Sequence, residues 1–317
     1  MTDVRSSPPV RLVVPDYAPP SALAVPLFHF DTRATLEALA RAAAYHVGVI
    51  LIGPDGPALR DFADKTETPG HFAVLTAEID SPWLRDHAPV AVVENRRALQ
   101  VLPRHERADR PRDTALFSNL MSIPTERTEL HLAAGNTVRG PNGLAISTLR
   151  VLSDNGLDTD QGLRTTGVQM GIHRWLLVPA YDDDLSAHTD CMVRFLSPHL
   201  CAMVRRTDRP DTQTPADALA AAIADACPGI RILDIPARAF GESFDSPVNW
   251  VQLGRTILLP DYGAPDPNHA PTAGILAAEG FAVVPVASGT SGLGGGLHCL
   301  SASIYTEAPE TVPPEPE

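Results

Sequence analysis

The stretch GGGLHCLSAS, residues 294–303, places three glycines directly before a histidine and Cys299. Glycines let the backbone turn sharply and approach a ligand closely. A cysteine in such a place is a candidate nucleophile, although a thiol can also bind a metal or fill a hydrophobic core. The stretch alone leaves these three roles open, so the partners of Cys299 must decide between them.

The motif HTD supplies a partner as an imidazole and a carboxylate, His188 and Asp190. In an extended strand, residues two apart project to the same face, and both side chains can then meet one ligand. A histidine or a cationic substrate near a thiol favours the reactive thiolate. The motif therefore predicts His188 as the acid and base that serves Cys299. The alternative is a purely structural His–Asp pair on an edge strand.

Polar residues recur along the chain at a nearly regular interval. Asp86, Asn136, Asp190, Asn249 and Cys299 are separated by 50, 54, 59 and 50 residues. Spacing of this size indicates a repeated ββαβ module arranged around a centre, with each repeat delivering a polar residue to one site. The alternatives are an ordinary α/β sandwich and, for Asp86, a surface ion pair with the neighbouring arginine.

Short apolar, β-branched runs alternate with amphipathic helical patterns. The periodicity predicts helices over 33–44 and 216–226. It predicts strands over 48–52, 71–79, 90–93, 144–149, 174–180, 192–196, 231–235, 256–260 and 281–286. Hairpins are predicted between 192–196 and 200–204 and between 247–252 and 256–260, so a purely parallel sheet is excluded. The fold class is α/β with mixed sheets.

The composition is that of a soluble globular protein, with 44% hydrophobic residues in a chain of 317. The formal charge of −13 argues against nucleic-acid binding, which needs clustered basic residues. Without an apolar run long enough for a signal peptide or a membrane span, we expect a cytoplasmic protein with no membrane contact. The proline-rich ends predict a flexible leader over 1–9 and a disordered acidic tail over 307–317, around one domain over 10–306.

The four cysteines lie far apart without a CxxC pair, which disfavours a zinc ribbon and a disulfide scaffold. His188, Cys191, His298 and Cys299 have suitable donor atoms for zinc. However, the three-residue gap between His188 and Cys191 would place them on opposite faces of a strand. We therefore expect no metal and no other cofactor.

Taken in order, the motifs WLRDHAP, AGN, HTDCM, VNW…LLPDYG and GGGLHC resemble those of the guanidine-modifying (pentein) superfamily. Within it, the chain is similar to agmatine deiminases and bacterial peptidylarginine deiminases over about residues 75–303. The resemblance implies a five-bladed α/β propeller of pseudo-fivefold ββαβ modules. The implied partner is a small guanidino substrate or an arginine-containing peptide, and a homodimer is the assembly that we would test first.

The resemblance also implies a hydrolase that converts a guanidino group to a ureido group and ammonia through a covalent thiouronium. Asp86 and Asp190 match the substrate-holding acids. Cys299 matches the nucleophile, and His188 matches the general acid and base. The further residues expected at the substrate are Trp83, Asn136 and Asn249. An amidinotransferase of the same fold and a non-catalytic guanidino-binding relative stay open as alternatives.

The loop ADRPRDTALFSNL contains Arg110 and Arg112 and resembles the stretch with which bacterial peptidylarginine deiminases receive a substrate carboxylate. Paired arginines suit bidentate carboxylate binding. They would favour free arginine or a C-terminal arginine over agmatine, which has no carboxylate. The alternative is a solvated, proline-stiffened loop.

Two positions beside the predicted catalytic residues also bear on function. Ala133 stands where agmatine deiminases carry a glutamate that helps to polarise the histidine, and this departure favours the non-catalytic alternative. His298 would point away from Cys299 in a strand, so we assign it a structural role.

Overall fold

The computed structural model describes residues 11–28, 31–104, 110–119, 123–240, 244–263 and 266–312. Its strands are β1 (Arg11–Val13), β2 (Ala22–Pro26), β3 (Gly48–Gly53), β4 (Phe72–Thr76), β5 (Val90–Glu94), β6 (Arg97–Arg104), β7 (Thr125–His131), β8 (Val138–Arg139), β9 (Leu144–Thr148), β10 (Arg174–Val178), β11 (Val193–Ser197), β12 (Leu200–Arg206), β13 (Arg231–Ala237), β14 (Val251–Leu253), β15 (Thr256–Asp261), β16 (Ala282–Ala287) and β17 (Ala302–Ile304). The helices are α1 (Arg33–Ala44), α2 (Gly56–Lys65), α3 (Pro111–Asn119), α4 (Arg150–Asp154), α5 (Gln161–Gly167), α6 (Gln213–Ala226) and α7 (His269–Ala278).

Within the described residues the strands form five sheets, each built on the same unit. Two antiparallel strands are followed by helix and by a third strand parallel to the second, as in β5-β6-β7, β8-β9-β10, β11-β12-β13 and β14-β15-β16. In the fifth unit, β17 from the C-terminal end pairs antiparallel with β2, and β2 pairs parallel with β3. The prediction of five ββαβ modules is confirmed, and the last strand completes the sheet that contains β2.

The helices pack on the sheets because each presents an apolar side to them. In α1, Leu36, Leu39 and Ala43 are buried in the same cluster as Leu51 of β3 and Val286 of β16. Full burial of a leucine side chain contributes roughly 2 kcal/mol. The helix therefore fastens two neighbouring units to each other.

The predicted helices and most predicted strands are present, with ends shifted by a few residues. The helix predicted over 216–226 begins at Gln213, because a proline at position 215 fits the first turn of a helix. Sequence periodicity missed α7, whose segment HAPTAGILAA is apolar on nearly every side and so shows no stripe. The extended strand predicted at HTD is wrong, since Thr189–Cys191 form a 3-10 turn and β11 begins at Val193.

Parts of the predicted ends lie outside the described residues, namely the leader 1–9 and positions 313–317 of the tail. Residues 307–312 are described, and Val312 packs against the cluster that contains Val14 and Tyr305. No helix in the described part of the chain has the length and apolar character needed to cross a membrane. The domain boundaries stay predictions.

A buried ion pair joins the segment before β2 to β8. The backbone N–H and the Nε of Arg139 donate to Asp16 at 2.9 and 2.8 Å, and both side chains are almost completely shielded from solvent. Burial would raise the pKa of Asp16, but the charges of Arg139 and Arg194 lower it below its ordinary value. The pair is therefore ionised at neutral pH.

We expect Asp16→Asn to lower the free energy of unfolding by about 3–5 kcal/mol, because it leaves Arg139 buried without its counter-charge. Urea denaturation at pH 7 measures this loss. The matched control is Asp61→Asn, which removes an exposed pair with Lys65 and should cost no more than about 1 kcal/mol. Because the folded pKa of Asp16 is lowered, the wild-type advantage should shrink as the pH falls towards that pKa. Equal losses in the two variants would contradict this assignment.

Candidate active site

A cavity of about 150 Å³ opens where the segments that lead into different units meet. Each of the five regularly spaced polar residues lies shortly before the first strand of its unit, which explains their spacing. Predicted site residues supply half of the cavity lining. The lining consists of Trp83, Asp86, Arg110, Arg150, Leu185, Ser186, His188, Leu293, Gly294 and Cys299.

The side chain of Asn249 holds the segment that carries Cys299. Its Nδ2 donates to Cys299 Sγ at 3.1 Å. Its Oδ1 accepts hydrogen bonds from the backbone N–H groups of Gly296, His298 and Cys299 at 3.1, 3.1 and 3.2 Å. One carboxamide therefore fixes both the sulfur and the backbone of the candidate nucleophile.

The glycines before Cys299 allow two side chains to approach the backbone closely. A Cβ at Gly295 would lie 2.6 Å from the Trp83 ring, and one at Gly296 would lie 3.0 Å from the Asn249 side chain. These distances are shorter than ordinary contacts between carbon atoms. The glycine run thus serves the packing of Trp83 and Asn249 beneath the cavity.

Asp190 lies beside both Cys299 and His298. Its Oδ2 is 3.6 Å from Cys299 Sγ and 2.7 Å from His298 Nδ1. Residues 297–300 form a turn rather than a strand, so the strand alternation that separated His298 from Cys299 does not apply. His298 is nevertheless absent from the cavity lining, and it orients a carboxylate that is fully buried.

His188 faces Asp86 across the cavity wall, with Nδ1 3.7 Å from Asp86 Oδ1. Although HTD is not extended, His188 lies just before the 3-10 turn and Asp190 within it, so the turn still brings both residues to the site. A Cβ at Gly135 would lie 2.8 Å from His188 Nδ1. The glycine beside Asn136 is therefore required for the placement of His188.

The buried groups shift one another's protonation. Burial raises the pKa of Asp190 to about 6, although His188 and Arg194 act in the opposite direction. Burial and the charges of Arg194 and Arg85 lower the pKa of His298 well below its ordinary range. At neutral pH, Asp190 is thus mostly ionised and the neutral His298 donates its Nδ1–H to it.

The pKa of the Cys299 thiol is raised. A hydrogen bond with Cys191 lowers this pKa, but burial and the charges of Asp190 and Asp86 outweigh it. In the absence of a ligand the sulfur is therefore protonated at neutral pH. A cation bound between the two carboxylates would cancel part of the charge that opposes the thiolate.

The two arginines predicted as a pair lie in different surroundings. Arg110 lines the cavity, with Nη1 3.5 Å from Asp86 Oδ2. Arg112 is absent from the lining, and its guanidinium contacts Asp80 and Glu78 at 2.6 and 3.1 Å. Arg110 lies before α3 and Arg112 lies in its first turn, so the start of the helix separates the two side chains. The prediction that both receive one substrate group is not supported.

A second arginine of the cavity, Arg150, was not predicted. Its Nη1 donates to the backbone carbonyl of Ser186 at 3.0 Å, and its Nε lies 3.3 Å from Asp154. The available signal was its position directly after the predicted strand that became β9, since ligand sites often lie at the carboxyl ends of strands. Arg110 and Arg150 thus place two positive charges at the cavity.

Asn136 holds a neighbouring segment and is absent from the cavity lining. Its Oδ1 accepts from the backbone N–H of Thr148 at 3.0 Å and from that of Thr189 at 3.3 Å. Asn136 thereby supports the turn that carries Asp190. The sequence predicted that Asn136 contacts substrate, but its side chain supports the wall of the site and does not line the cavity.

In the portion of the chain that the structure describes, no group of three or more His, Cys, Asp or Glu side chains is arranged to hold a metal ion. His188, Cys191, His298 and Cys299, which the sequence raised as a zinc set, therefore do not form such a group. Cys191 and Cys299 do lie together, and both are free thiols.

Comparison with solved structures shows the same architecture in agmatine deiminases. The enzyme from C. jejuni superposes with a TM-score of 0.76 at 17% identity, covering 96% of this chain and 98% of that one. The agmatine deiminase of Enterococcus faecalis gives a TM-score of 0.78 at 12% identity, covering 94% of this chain and 96% of that one. At this identity the likeness shows the fold, which is the pentein fold predicted from the sequence.

Among curated protein sequences no significant match is found. A family model described as Porphyromonas-type peptidyl-arginine deiminase matches residues 27–304, which include all the cavity-lining residues. On this match, the chain belongs to the Porphyromonas-type peptidyl-arginine deiminase family.

Proposed function

We propose that this protein is a cysteine-dependent deiminase of guanidino compounds, with Cys299 as nucleophile and His188 as general acid and base. Membership of the deiminase family supports the reaction class. The solved structure of a C. jejuni agmatine deiminase variant with bound substrate supports a small guanidino ligand for this fold. The arrangement of Asp86, Asp190 and Cys299 supports the assignment of roles.

The observation that carries the proposal is the unsatisfied oxygen of Asp190. Its Oδ1 is buried and has no hydrogen-bond partner among the described residues, whereas Oδ2 is held by His298. A buried acceptor without a partner costs roughly 1–3 kcal/mol, which a ligand N–H can recover. A guanidinium offers a planar fork of N–H donors that matches a carboxylate. Held by Asp190 and Asp86, its carbon would lie near Cys299 Sγ.

The reaction then follows from these positions. The guanidinium charge favours the Cys299 thiolate, so the thiol proton passes to His188, and the sulfur attacks the guanidinium carbon and forms a C–S bond. His188 donates a proton to the departing nitrogen, the C–N bond breaks, and ammonia leaves behind a thiouronium. His188 then accepts a proton from water, whose oxygen attacks the same carbon. The C–S bond breaks, the ureido product departs and the thiol is regenerated.

Asp184 provides a carboxylate near His188 in a chain where Ala133 replaces the usual glutamate. Burial raises the pKa of Asp184, whereas the hydrogen bonds of Ser186 and the charge of His188 lower it. Its Oδ2 is buried without a hydrogen-bond partner in the described part of the chain. We assign Asp184 the stabilisation of protonated His188, so the alanine does not by itself exclude catalysis.

The substrate is expected to carry a carboxylate besides its guanidinium. Arg110 and Arg150 line the cavity together with Asp86 and His188. Arginine pairs recognise carboxylates well, whereas agmatine has no carboxylate for them to recognise. Free arginine and peptides with a C-terminal arginine are therefore the proposed substrates.

Incubation with arginine, an arginine-ended peptide or agmatine should release ammonia and a ureido product, which coupled ammonia assays and mass spectrometry detect. Cys299→Ala should lower kcat by about 10⁴-fold or more, because no other sulfur replaces the nucleophile. Cys227→Ser, which changes a cysteine outside this cavity, should retain activity. Thermal stabilisation by arginine without any turnover would instead support a non-catalytic binding protein.

A cationic alkylating reagent should inactivate the protein faster than its neutral analogue. We expect 2-chloroacetamidine to react with Cys299 faster than 2-chloroacetamide at pH 7, because only the former pairs with Asp86 and Asp190. Since the pKa of Asp190 is about 6, this preference should decline as the pH falls through that value. Mass spectrometry of the Cys299 peptide gives the rates. Asp190→Asn should remove the preference, and a wild-type preference that does not change with pH would contradict the role of Asp190.

Substitution of Arg150 should change substrate preference. Arg150→Met should raise KM for arginine by about 10- to 100-fold, because a charged hydrogen bond contributes roughly 1.5–3 kcal/mol, and should leave KM for agmatine nearly unchanged. Steady-state kinetics with both substrates measures this ratio. Arg112→Met is the matched control, since Arg112 contacts Asp80 and Glu78 outside the cavity. A proportional loss for both substrates would show that Arg150 does not bind the carboxylate.

A further inference from the structure

A second buried thiol lies beside the candidate nucleophile. Asn249 Nδ2 is 3.1 Å from Cys299 Sγ and 3.5 Å from Cys191 Sγ, so one amide nitrogen contacts both sulfur atoms. The two thiols are therefore neighbours across one amide group, and each affects the pKa of the other. Both are reduced in the structure. The proposed deimination gives no task to Cys191.

The two sulfur atoms belong to segments far apart in sequence that tertiary structure brings together. Cys191 ends the 3-10 turn that contains Asp190, and Cys299 follows the glycine-rich run. A disulfide needs the sulfur atoms to approach to about 2.05 Å, so the two segments must draw together from an arrangement in which both sulfur atoms contact Asn249 Nδ2. Gly292 and Gly294, with positive φ, lie in the segment that precedes Cys299.

The two thiols differ in their access to small molecules from solvent. Cys299 lines the open cavity, whereas Cys191 is absent from its lining. A reagent that enters the cavity therefore meets Cys299 first. Cys191 also lies 3.8 Å from Ser186 Oγ, a hydroxyl of the cavity wall. Cys299 is therefore the thiol that reacts first, and Cys191 is the thiol that reacts second.

We propose that Cys191 and Cys299 form a site of oxidative modification by hydroperoxides, in which Cys191 is the resolving thiol. Cys299 loses its thiol proton and its sulfur attacks one peroxide oxygen, so that the S–O bond forms and the O–O bond breaks; the products are a sulfenic acid and a hydroxide or alkoxide, which takes up the proton. The sulfur loses two electrons, and the peroxide gains them. Cys191 sulfur then attacks the Cys299 sulfur, the S–O bond breaks, and water departs with the thiol proton.

The disulfide would block the nucleophile reversibly. A thiol reductant restores both cysteines, whereas further oxidation of a sulfenic acid to a sulfinic acid is ordinarily irreversible. Cys191 therefore protects Cys299 from permanent loss. This proposal does not depend on the proposed deiminase activity. The disulfide is detected from the mass of the protein, and no turnover is needed to observe it.

The test treats the full-length protein with hydrogen peroxide, alkylates the remaining thiols after denaturation, and maps the products by mass spectrometry. Wild-type protein should lose two hydrogens and yield a Cys191–Cys299 linked peptide that dithiothreitol removes. Cys191→Ser should form no such link and should accumulate sulfinic acid at Cys299, which dithiothreitol does not reverse. Cys227→Ser should behave as the wild type.

Thermal unfolding of each variant confirms that it is folded, and Cys191→Ala serves as a second variant if serine destabilises the turn. A wild-type protein whose Cys299 becomes sulfinic acid as fast as that of Cys191→Ser would overturn the proposal. A link from Cys299 to Cys201 or Cys227 would overturn it equally. Where turnover is measurable, peroxide should lower the rate and dithiothreitol should restore it. The rate should fall in proportion to the fraction of Cys191–Cys299 linked peptide. Absence of turnover with normal crosslinking would disprove only the proposed deimination.

Discussion

A carboxylate kept charged in the interior is the constraint on which the site depends. Asp190 is completely buried, and a buried charge is tolerated only with nearby compensation. Arg85 and Arg194 supply positive charge from equally buried positions. They also hold backbone, because Arg85 Nε donates to the carbonyl of His298 at 3.3 Å and Arg194 Nη1 donates to that of Trp250 at 3.1 Å. The same guanidinium groups thus fix the segments that carry Cys299 and Asn249.

The repeated unit uses asparagine in the same way twice. Asn136 lies before β8, and its Oδ1 accepts the backbone N–H of Thr189 from the segment that leads into the next unit. Asn249 lies before β14, and its Oδ1 accepts three N–H groups from the segment that leads into β17. Each carboxamide therefore fastens the loop of the following unit. Asn249 differs in that its Nδ2 also donates to Cys299 Sγ, so this carboxamide positions a thiol of the cavity as well as a backbone segment.

Charge balance within the cavity connects binding with reactivity. Asp86 and Asp190 raise the pKa of Cys299 while the cavity lacks a cation, so the sulfur is held as a thiol. A bound guanidinium would remove that effect at the moment when a thiolate is useful. Arg110, which contacts Asp86, and Arg150 add positive charge to the lining. The cavity therefore presents both signs of charge, which is the basis for the proposed substrate.

The sequence determined the number of units, the fold class and half of the residues that line the cavity. It could do so because the size of a ββαβ unit sets the interval between Asp86, Asn136, Asp190, Asn249 and Cys299. Only the tertiary structure decided which groups touch. Turns and helix ends decide three such contacts. Asp190 pairs with His298, Cys191 lies beside Cys299, and Arg150 lines the cavity where Arg112 does not. Side-chain direction there depends on local dihedral angles and long-range packing, which strand alternation along the sequence does not encode.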